Sequence, residues 1–97
     1  MATYITLATF SDQGLRNVKD TVKRADDFKK AAQQAGVTVK EFLWTQGHYD
    51  LMVIVDAPDE ASYSALLLSV ARMGNVRLQS LRAFTAAEME GILDKVI

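Results

Sequence analysis

The sequence predicts an α+β fold of the ferredoxin-like βαββαβ type, with a four-stranded antiparallel sheet and two helices on one face. Segments rich in β-branched and aromatic residues alternate with helically spaced apolar stripes, in the order strand, helix, strand, strand, helix, strand. A two-residue break, Gly47-His48, separates the central strands and predicts a hairpin. Two βαβ-like halves joined by a central hairpin form the split βαβ pattern, to which a short C-terminal helix is added.

The composition predicts one small globular domain over residues 1–97. Of the 97 residues, 49% are hydrophobic and 24% are charged, which is ordinary for a folded protein. The net charge of -1 gives no reason to expect nucleic acid or an anionic membrane as a partner. The lack of cysteine excludes a disulfide scaffold, a thiolate metal site and a cysteine nucleophile, and a single histidine excludes a His-rich metal site within one subunit. We therefore predict no metal and no cofactor.

The first half of the chain is predicted to form a strand and one long helix. Residues 3–9 are largely β-branched or aromatic, which predicts the first strand. Ser11 or Asp12 can cap the helix, and Gly36 ends it because glycine readily adopts the left-handed conformation. Opposite charges spaced by four residues are typical of a solvated helix face, namely Asp20–Arg24, Lys23–Asp27 and Asp26–Lys30. A helix over residues 14–35 is predicted by the apolar stripe Leu15, Val18, Val22, Ala25, Phe28 and Ala32.

The central hairpin joins strands predicted over residues 37–46 and 49–56. A two-residue loop with Gly47 in the first position fits a type II′ turn. This register places Trp44 opposite Leu51 on one face and Leu43 opposite Met52 on the other. A turn longer by one residue would exchange the two faces, because side chains alternate along a strand.

The second half repeats the order of elements with different residues. Pro58 and the acidic residues around it open a second helix, whose apolar stripe begins at Tyr63 and which ends near Gly74. The fourth strand is predicted over residues 76–84. Thr85 and Glu88 match a capping box, which predicts a terminal helix over residues 86–95.

Both faces of the central hairpin are apolar. Two helices cover only one face of such a sheet, so the other face must contact something else. We expect it to form a homodimer or higher oligomer of the dimeric α/β-barrel kind. The alternatives are a small-molecule cavity between the sheet and a partner, or a terminal helix that folds over the sheet. The first face carries Phe42, Trp44, Leu51, Val53 and Val55, and the second carries Val39, Leu43, Met52 and Ile54.

Two hairpin residues are weak candidates for catalysis. His48 is the only histidine, and an imidazole suits a general acid or base, although we prefer a solvated turn residue. Asp50 lies just inside a predicted strand, where aspartate is disfavoured. It is either a general base or ligand acceptor, or a side chain that bonds backbone N–H groups at the turn.

Trp44, Tyr49 and Arg82 are the candidate ligand-binding residues. The indole N–H of Trp44 and the phenol O–H of Tyr49 offer hydrogen bonds to a small apolar or aromatic ligand, but such residues more often anchor an interface. The Arg82 guanidinium suits a carboxylate or phosphate, or pairs with an acidic side chain on a neighbouring strand.

Sequence signatures of common enzyme classes are absent. The chain has no G-x-G-x-x-G, phosphate loop, G-x-S-x-G or H-E-x-x-H motif. No apolar run approaches the roughly 18–20 residues that cross a bilayer. The start has neither a basic region nor a signal-peptide cleavage site, so we expect a cytoplasmic protein.

Several stretches of the chain resemble the GYD-domain family, small bacterial proteins of unestablished function. The opening YITLATFSDQG at residues 4–14 is similar to the start of the family, and so are residues 36–47 and the segment over residues 50–59. The Gly-Tyr-Asp motif that names the family is spelled GHYD here, with His48 inserted. The resemblance runs from Tyr4 to about Leu93. It implies a ferredoxin-like fold of the dimeric α/β-barrel kind and supplies no reaction.

These observations predict a small-molecule binding or sensory module that acts as a homo-oligomer through its sheet face. The lack of a nucleophile, base and orienting group around one histidine favours binding over catalysis. The first alternative is a cofactor-independent oxygenase or isomerase on an aromatic or quinone-like substrate, with His48 or Asp50 as base. The second alternative is a structural assembly protein.

Overall fold

The computed structural model describes all 97 residues and contains one four-stranded sheet. The strands lie in the order β2-β3-β1-β4, and all neighbours are antiparallel. This is the ferredoxin-like α+β arrangement that the sequence predicts. The elements are β1 Ala2–Phe10, α1 Asp12–Arg16, α2 Thr21–Gln34, β2 Thr38–Trp44, β3 Leu51–Ala57, α3 Glu60–Ala71, β4 Val76–Ala83 and α4 Ala86–Leu93.

The single helix predicted over residues 14–35 is wrong, because the chain forms two helices there. α1 ends at Arg16, and a 3₁₀ turn over Val18–Asp20 leads into α2. Asn17 leaves the helical conformation with φ -108° and ψ 28°, and its side-chain amide donates to the Gln13 carbonyl at 3.1 Å. A side chain that bonds the backbone in this way competes with the helical hydrogen bonds. The first part of the predicted stripe consequently lies in solvent, with Leu15, Val18 and Val22 exposed.

The hairpin has the predicted register, but its strands are shorter and the predicted two-residue type II′ turn is wrong. Trp44 lies opposite Leu51, and the strand pairing ends there. A loop over residues 45–50 makes the connection, with the Thr45 N–H donating to the Asp50 carbonyl at 2.9 Å. Gly47 in this loop has a φ of 105°, a conformation that favours glycine. The predicted facing is therefore confirmed for residues 41–44 and 51–54. The placement of Val39 on the second face is wrong, because the bulge at Lys40 puts Val39 opposite Val55 on the helix side.

Helices α2 and α3 cover one face of the sheet and form the core with it. α3 begins where the Asp59 carboxylate accepts a 2.7 Å hydrogen bond from the Ser62 N–H. This bond caps the first turn and lowers the pKa of Asp59. The core cluster contains residues from both helices, from β3 and from the start of the hairpin: Ala32, Val37, Val53, Val55, Ala57, Tyr63 and Leu66.

The terminal helix α4 projects from the domain. It begins with the predicted capping box, in which the Glu88 N–H donates to Thr85 Oγ1 at 3.2 Å and the Thr85 N–H donates to the Glu88 carboxylate at 3.0 Å. The second bond lowers the pKa of Glu88. α4 has no extensive contact with another element, and none of its residues is buried. The alternative in which this helix folds over the sheet is therefore wrong.

The helices are short or carry charged residues, and none has the length and apolarity needed to span a membrane.

Candidate functional site

The face of the sheet that points away from α2 and α3 is apolar and uncovered, and is called the open face here. It takes alternate residues from all four strands. Pairing places Leu7 beside Met52 and Ile5 beside Ile54, so the apolar side chains form one continuous patch. The apolar residues of the open face are Ile5, Leu7, Leu43, Met52, Ile54 and Leu81. Glu41 on β2 and Gln79 and Arg77 on β4 lie on the same face, at the two edge strands.

Polar side chains border the open face at both ends. At one end, Thr3 Oγ1 donates to the Asp56 carboxylate at 2.7 Å, and Lys40 Nζ lies 3.6 Å from the other oxygen of that carboxylate. Lys40 is an extra residue in β2, at the bulge where the pairing with β3 shifts. At the other end, the Tyr49 hydroxyl donates to Gln79 Oε1 at 2.9 Å. An apolar centre with a polar rim is the usual anatomy of a protein interface.

A second apolar feature lies on the covered face, between the sheet and the two helices. It is a cavity of about 250 Å³ with walls that are almost entirely apolar. Its floor includes Ala8 of β1 and Val53 of β3, and its sides include Phe28 of α2 and Leu66 of α3. The cavity opens between the helices, because lining residues on both, such as Ala31, are exposed to solvent.

The floor of the cavity has one buried polar side chain, and its hydroxyl already has partners. The Thr6 hydroxyl is hydrogen-bonded to the Tyr63 hydroxyl at 2.5 Å and to the Ser80 hydroxyl at 2.6 Å. Burial raises the pKa of Tyr63, since the phenolate would lose its hydration. No buried side-chain nitrogen or oxygen lacks a hydrogen-bond partner. A ligand in the cavity would therefore contact an apolar floor.

Arg24 is a half-buried cation on the cavity wall. Its Nη1 donates to the Asn17 carbonyl at 2.8 Å and its Nη2 to the Gly14 carbonyl at 3.5 Å. The protein has two ion pairs, and neither involves α2; they are Lys40–Asp56 and Arg82–Glu88. The oppositely charged residues spaced by four in this region, Asp20 and Arg24 among them, therefore form no ion pair with one another. Arg24 turns to backbone carbonyls because the break after α1 brings those carbonyls to it.

The cavity end near Arg24 is held by a close contact between α1 and the loop before β4. The Ser11 N–H donates to the Asn75 carbonyl at 3.0 Å, and the Gln13 side-chain amide donates to the Met73 carbonyl at 3.0 Å. Gly14 is buried in this contact, and a Cβ atom on it would lie 2.0 Å from the Asn75 carbonyl oxygen. Only glycine fits at this position, and it lets α1 pack against the loop.

His48 and Asp50 do not line this cavity. His48 is exposed in the hairpin loop. The Asp50 carboxylate accepts from the Phe10 N–H at 2.8 Å, and the Asp50 N–H donates to the Ala8 carbonyl at 2.8 Å. These bonds tie the hairpin to β1, so the Asp50 side chain bonds the backbone of a neighbouring strand and not that of the turn. No three side chains of metal-ligating type are grouped to hold a metal ion. The catalytic roles of His48 and Asp50 stay predictions.

Trp44, Tyr49 and Arg82 lie in three different places. Trp44 is at the β2 edge on the helix side, with its indole N–H donating to Thr21 Oγ1 at 3.0 Å. Tyr49 lies beside the open face, as described above. Arg82 is at the opposite end of the sheet on the helix side, and its Nη2 lies 3.4 Å from the carboxylate of Glu88 at the start of α4. The ligand-binding roles of these residues stay predictions, but one ligand cannot contact all three within one chain.

The sequence interpretation missed the cavity residues, Arg24 above all. Four-residue charge spacing assigned Arg24 to a solvated face, whereas the structure places it on the cavity wall. The available signal was the small size of several residues on the covered side. Ala8, Ala25 and Ala31 line the cavity, and alanine leaves space where a larger side chain would fill it.

Comparison with known proteins agrees with this architecture. A relative from Thermus thermophilus, described as a glutamine synthetase and cystathionine beta-lyase binding protein, is 30% identical over 93 residues, covering 92% of this chain and 95% of that protein. A solved structure, described as FFRP-DM1, is similar in fold with a TM-score of 0.58 at 19% identity, covering 87% of this chain and 100% of that one. The GYD domain model matches residues 4–93, nearly the whole chain. The chain therefore belongs to the GYD domain family.

Proposed function

We propose that this protein is a non-catalytic binding module that assembles as a homo-oligomer through its open face, giving a dimeric α/β barrel. The supporting observation is the continuous apolar patch of the open face, which no element of the chain covers. Exposed patches of this kind mark sites of protein association, because their burial removes apolar surface from water. A second copy presents the same patch, and a two-fold axis makes the patch complementary to itself.

The size of the open face suggests that α4 takes part in the assembly. The four strands lie about 4.8 Å apart, and each has about seven residues at roughly 3.3 Å per residue. The area of the open face is therefore roughly 400 Å². A stable interface buries roughly 800 Å² on each partner. α4 and the residue before its cap supply further apolar surface, since Phe84 is 51% exposed, Met89 44% and Leu93 55%. In the proposed assembly these side chains lie against the partner subunit.

The oligomeric state of matched variants tests this proposal. Light scattering after gel filtration and sedimentation velocity over a dilution series are expected to give at least twice the 10.7 kDa chain mass for the wild type. Leu7→Lys places a charge in the open face and is expected to give a folded monomer. Leu68→Lys is the control, because Leu68 is 70% exposed on α3, outside the open face. A folded wild-type monomer at every concentration would contradict the proposal.

A second candidate function is the binding of metabolic enzymes. The observation that favours it is the relative described as a glutamine synthetase and cystathionine beta-lyase binding protein, which aligns with almost the whole of this chain. Purified glutamine synthetase and cystathionine β-lyase from the source organism would be tested against the immobilised chain by biolayer interferometry. Saturable binding, weakened in Leu7→Lys or Leu68→Lys, would support this function and locate the contact surface. Lack of binding to both enzymes would exclude it.

A further inference from the structure

We infer that the cavity between α2, α3 and the sheet binds a small amphipathic carboxylate, with its alkyl chain inside and its carboxylate on Arg24. This site is separate from the open face and goes beyond the proposed assembly. The inference depends on three features of the cavity: its apolar walls, its volume, and the half-buried guanidinium beside it.

The walls of the cavity select an apolar ligand body. Thirteen of its 18 lining residues are hydrophobic, and the buried hydroxyl of Thr6 is occupied by Tyr63 and Ser80. Water in such a space would lack the two to four polar partners that hold a buried water molecule. An alkyl chain regains the dispersion contacts that the wall atoms lose to the void.

The volume limits the ligand to a small molecule. The space of about 250 Å³ equals roughly eight water molecules at about 30 Å³ each. It lies just below the range of about 300–1,000 Å³ that is usual for drug-sized ligands. A chain of roughly six to eight carbon atoms is therefore the expected length.

Arg24 selects a carboxylate for the head group. The guanidinium has five N–H donors, and its hydrogen bonds to Asn17 and Gly14 leave donors available. It has no ion-pair partner, and a planar carboxylate matches the guanidinium geometry. Asp27 lies one turn further along α2 and is exposed at the cavity rim. Its negative charge directs an anionic head group away from that part of the rim and toward Arg24.

Octanoate and 1-octanol are the matched probes, since they share the chain length and differ in the head group. Binding would be followed by NMR of labelled Ile, Leu and Val methyl groups at concentrations below micelle formation. The expected result is saturable shifts for cavity residues Leu66, Leu67 and Val70, with the open-face methyls of Ile5 and Ile54 unchanged. We expect octanoate to bind about tenfold tighter than octanol, or more, because of the charge-assisted hydrogen bonds.

Variants separate the roles of Arg24 and of the cavity. Arg24→Gln is expected to weaken octanoate binding about tenfold and to leave octanol binding unchanged, which also shows that the cavity is intact. Arg16→Gln on α1 is the charge-matched control and should change neither affinity. Val70→Phe fills the cavity and should abolish both. The monomeric Leu7→Lys variant should bind octanoate like the wild type, so failure of the proposed assembly would not affect this test.

Three results would overturn the inference. Chemical-shift changes confined to the open-face isoleucines would show that the ligand binds the open face and not the cavity. Equal affinity for octanoate and octanol would show that the carboxylate makes no specific contribution to binding. Equal loss of both ligands in Arg24→Gln and Arg16→Gln would show that Arg24 has no specific contact with the head group.

Discussion

The covered and open faces of the sheet are both apolar, but their side chains differ in exposure. On the covered face, Ala8 is 3% exposed and Val55 is fully buried. On the open face, Leu43 is 45% exposed and Leu81 is 43% exposed. Helices α2 and α3 exclude water from the first face, whereas the aliphatic side chains of the second keep apolar area that another molecule can bury. Side-chain size does not separate the faces, because Tyr4, Phe42 and Trp44 lie on the covered one. The comparison teaches that the packing of the helices distinguishes the face that folds the chain from the face that remains for a partner.

Alanines on the covered side explain the cavity. Ala25 of α2 and Ala8 of β1 are buried in its lining, and neither is long enough to fill the space between helix and sheet. Close packing is thus complete around Val55 and Tyr63 but incomplete near Ala8. One face therefore both forms the core and borders the cavity.

The largest difference between the two faces is expected in folding stability. Leu66→Ala removes a side chain that is 5% exposed in the core, and we expect a loss of about 2–5 kcal/mol in the free energy of unfolding. This loss should be independent of protein concentration. Met52→Ala on the open face is the matched variant, and its effect should grow with concentration because it acts on assembly. Urea denaturation at several concentrations measures both, and equal, concentration-independent losses would contradict the comparison.

Gly14→Ala tests the contact that closes one end of the covered face. A Cβ there would lie 2.0 Å from the Asn75 carbonyl oxygen, so the backbone must shift, at a cost of about 1–3 kcal/mol. Gly91→Ala is the control, because nothing lies within 4 Å of the new Cβ in α4. Alanine favours a helix over glycine by about 1 kcal/mol, so this control should not destabilise the protein. Thermal unfolding measures both variants; a neutral Gly14→Ala would refute the close contact.

Tyr63→Phe tests the hydroxyl network under the core. We expect a loss of about 1 kcal/mol, because one buried hydrogen bond is removed while Thr6 keeps its bond to Ser80. Burial raises the Tyr63 pKa above its ordinary value of 10.0. The neutral phenol thus stabilises the fold below pH 10, and this contribution is lost as the pH rises through the folded-state pKa. Between pH 8 and pH 12 the free energies of unfolding of the wild type and the variant should converge. A constant difference over this range would contradict the stabilising role of the neutral Tyr63 phenol.

The smallest effect on global stability is expected for Thr85→Ala at the start of α4. Loss of the capping box should weaken the helix itself by about 1 kcal/mol. The unfolding midpoint of the monomer should hardly move, because α4 has no extensive contact with the domain. Hydrogen exchange in α4, measured in the monomeric Leu7→Lys background, should become faster. A large change in the midpoint would show that α4 stabilises the domain.

Much of the fold could be predicted from local patterns, and the errors arose where distant segments meet. The facing of Trp44 and Leu51 was predicted correctly although the loop is longer than two residues, because it lengthens by two residues on each strand and so preserves the alternation of side chains. The α4 capping box followed from the spacing of Thr85 and Glu88. The break after α1 did not, because the apolar spacing continues through Asn17, whose side-chain bond to the Gln13 carbonyl competes with the helical hydrogen bonds. Gly14 also packs there against Asn75 of a distant loop. The candidate site was predicted only in part: the open face was expected, whereas the cavity beside Arg24 was not.

The sequence by itself determined the order of the elements, the hairpin register and the presence of two apolar faces. These depend on residue spacing and on turn chemistry within a few positions of the chain. Only the tertiary structure decided which face α2 and α3 cover, that α4 projects from the domain, and that a cavity remains between helices and sheet. These outcomes depend on the volumes of side chains brought together from distant segments, and no local pattern reports how those volumes fit.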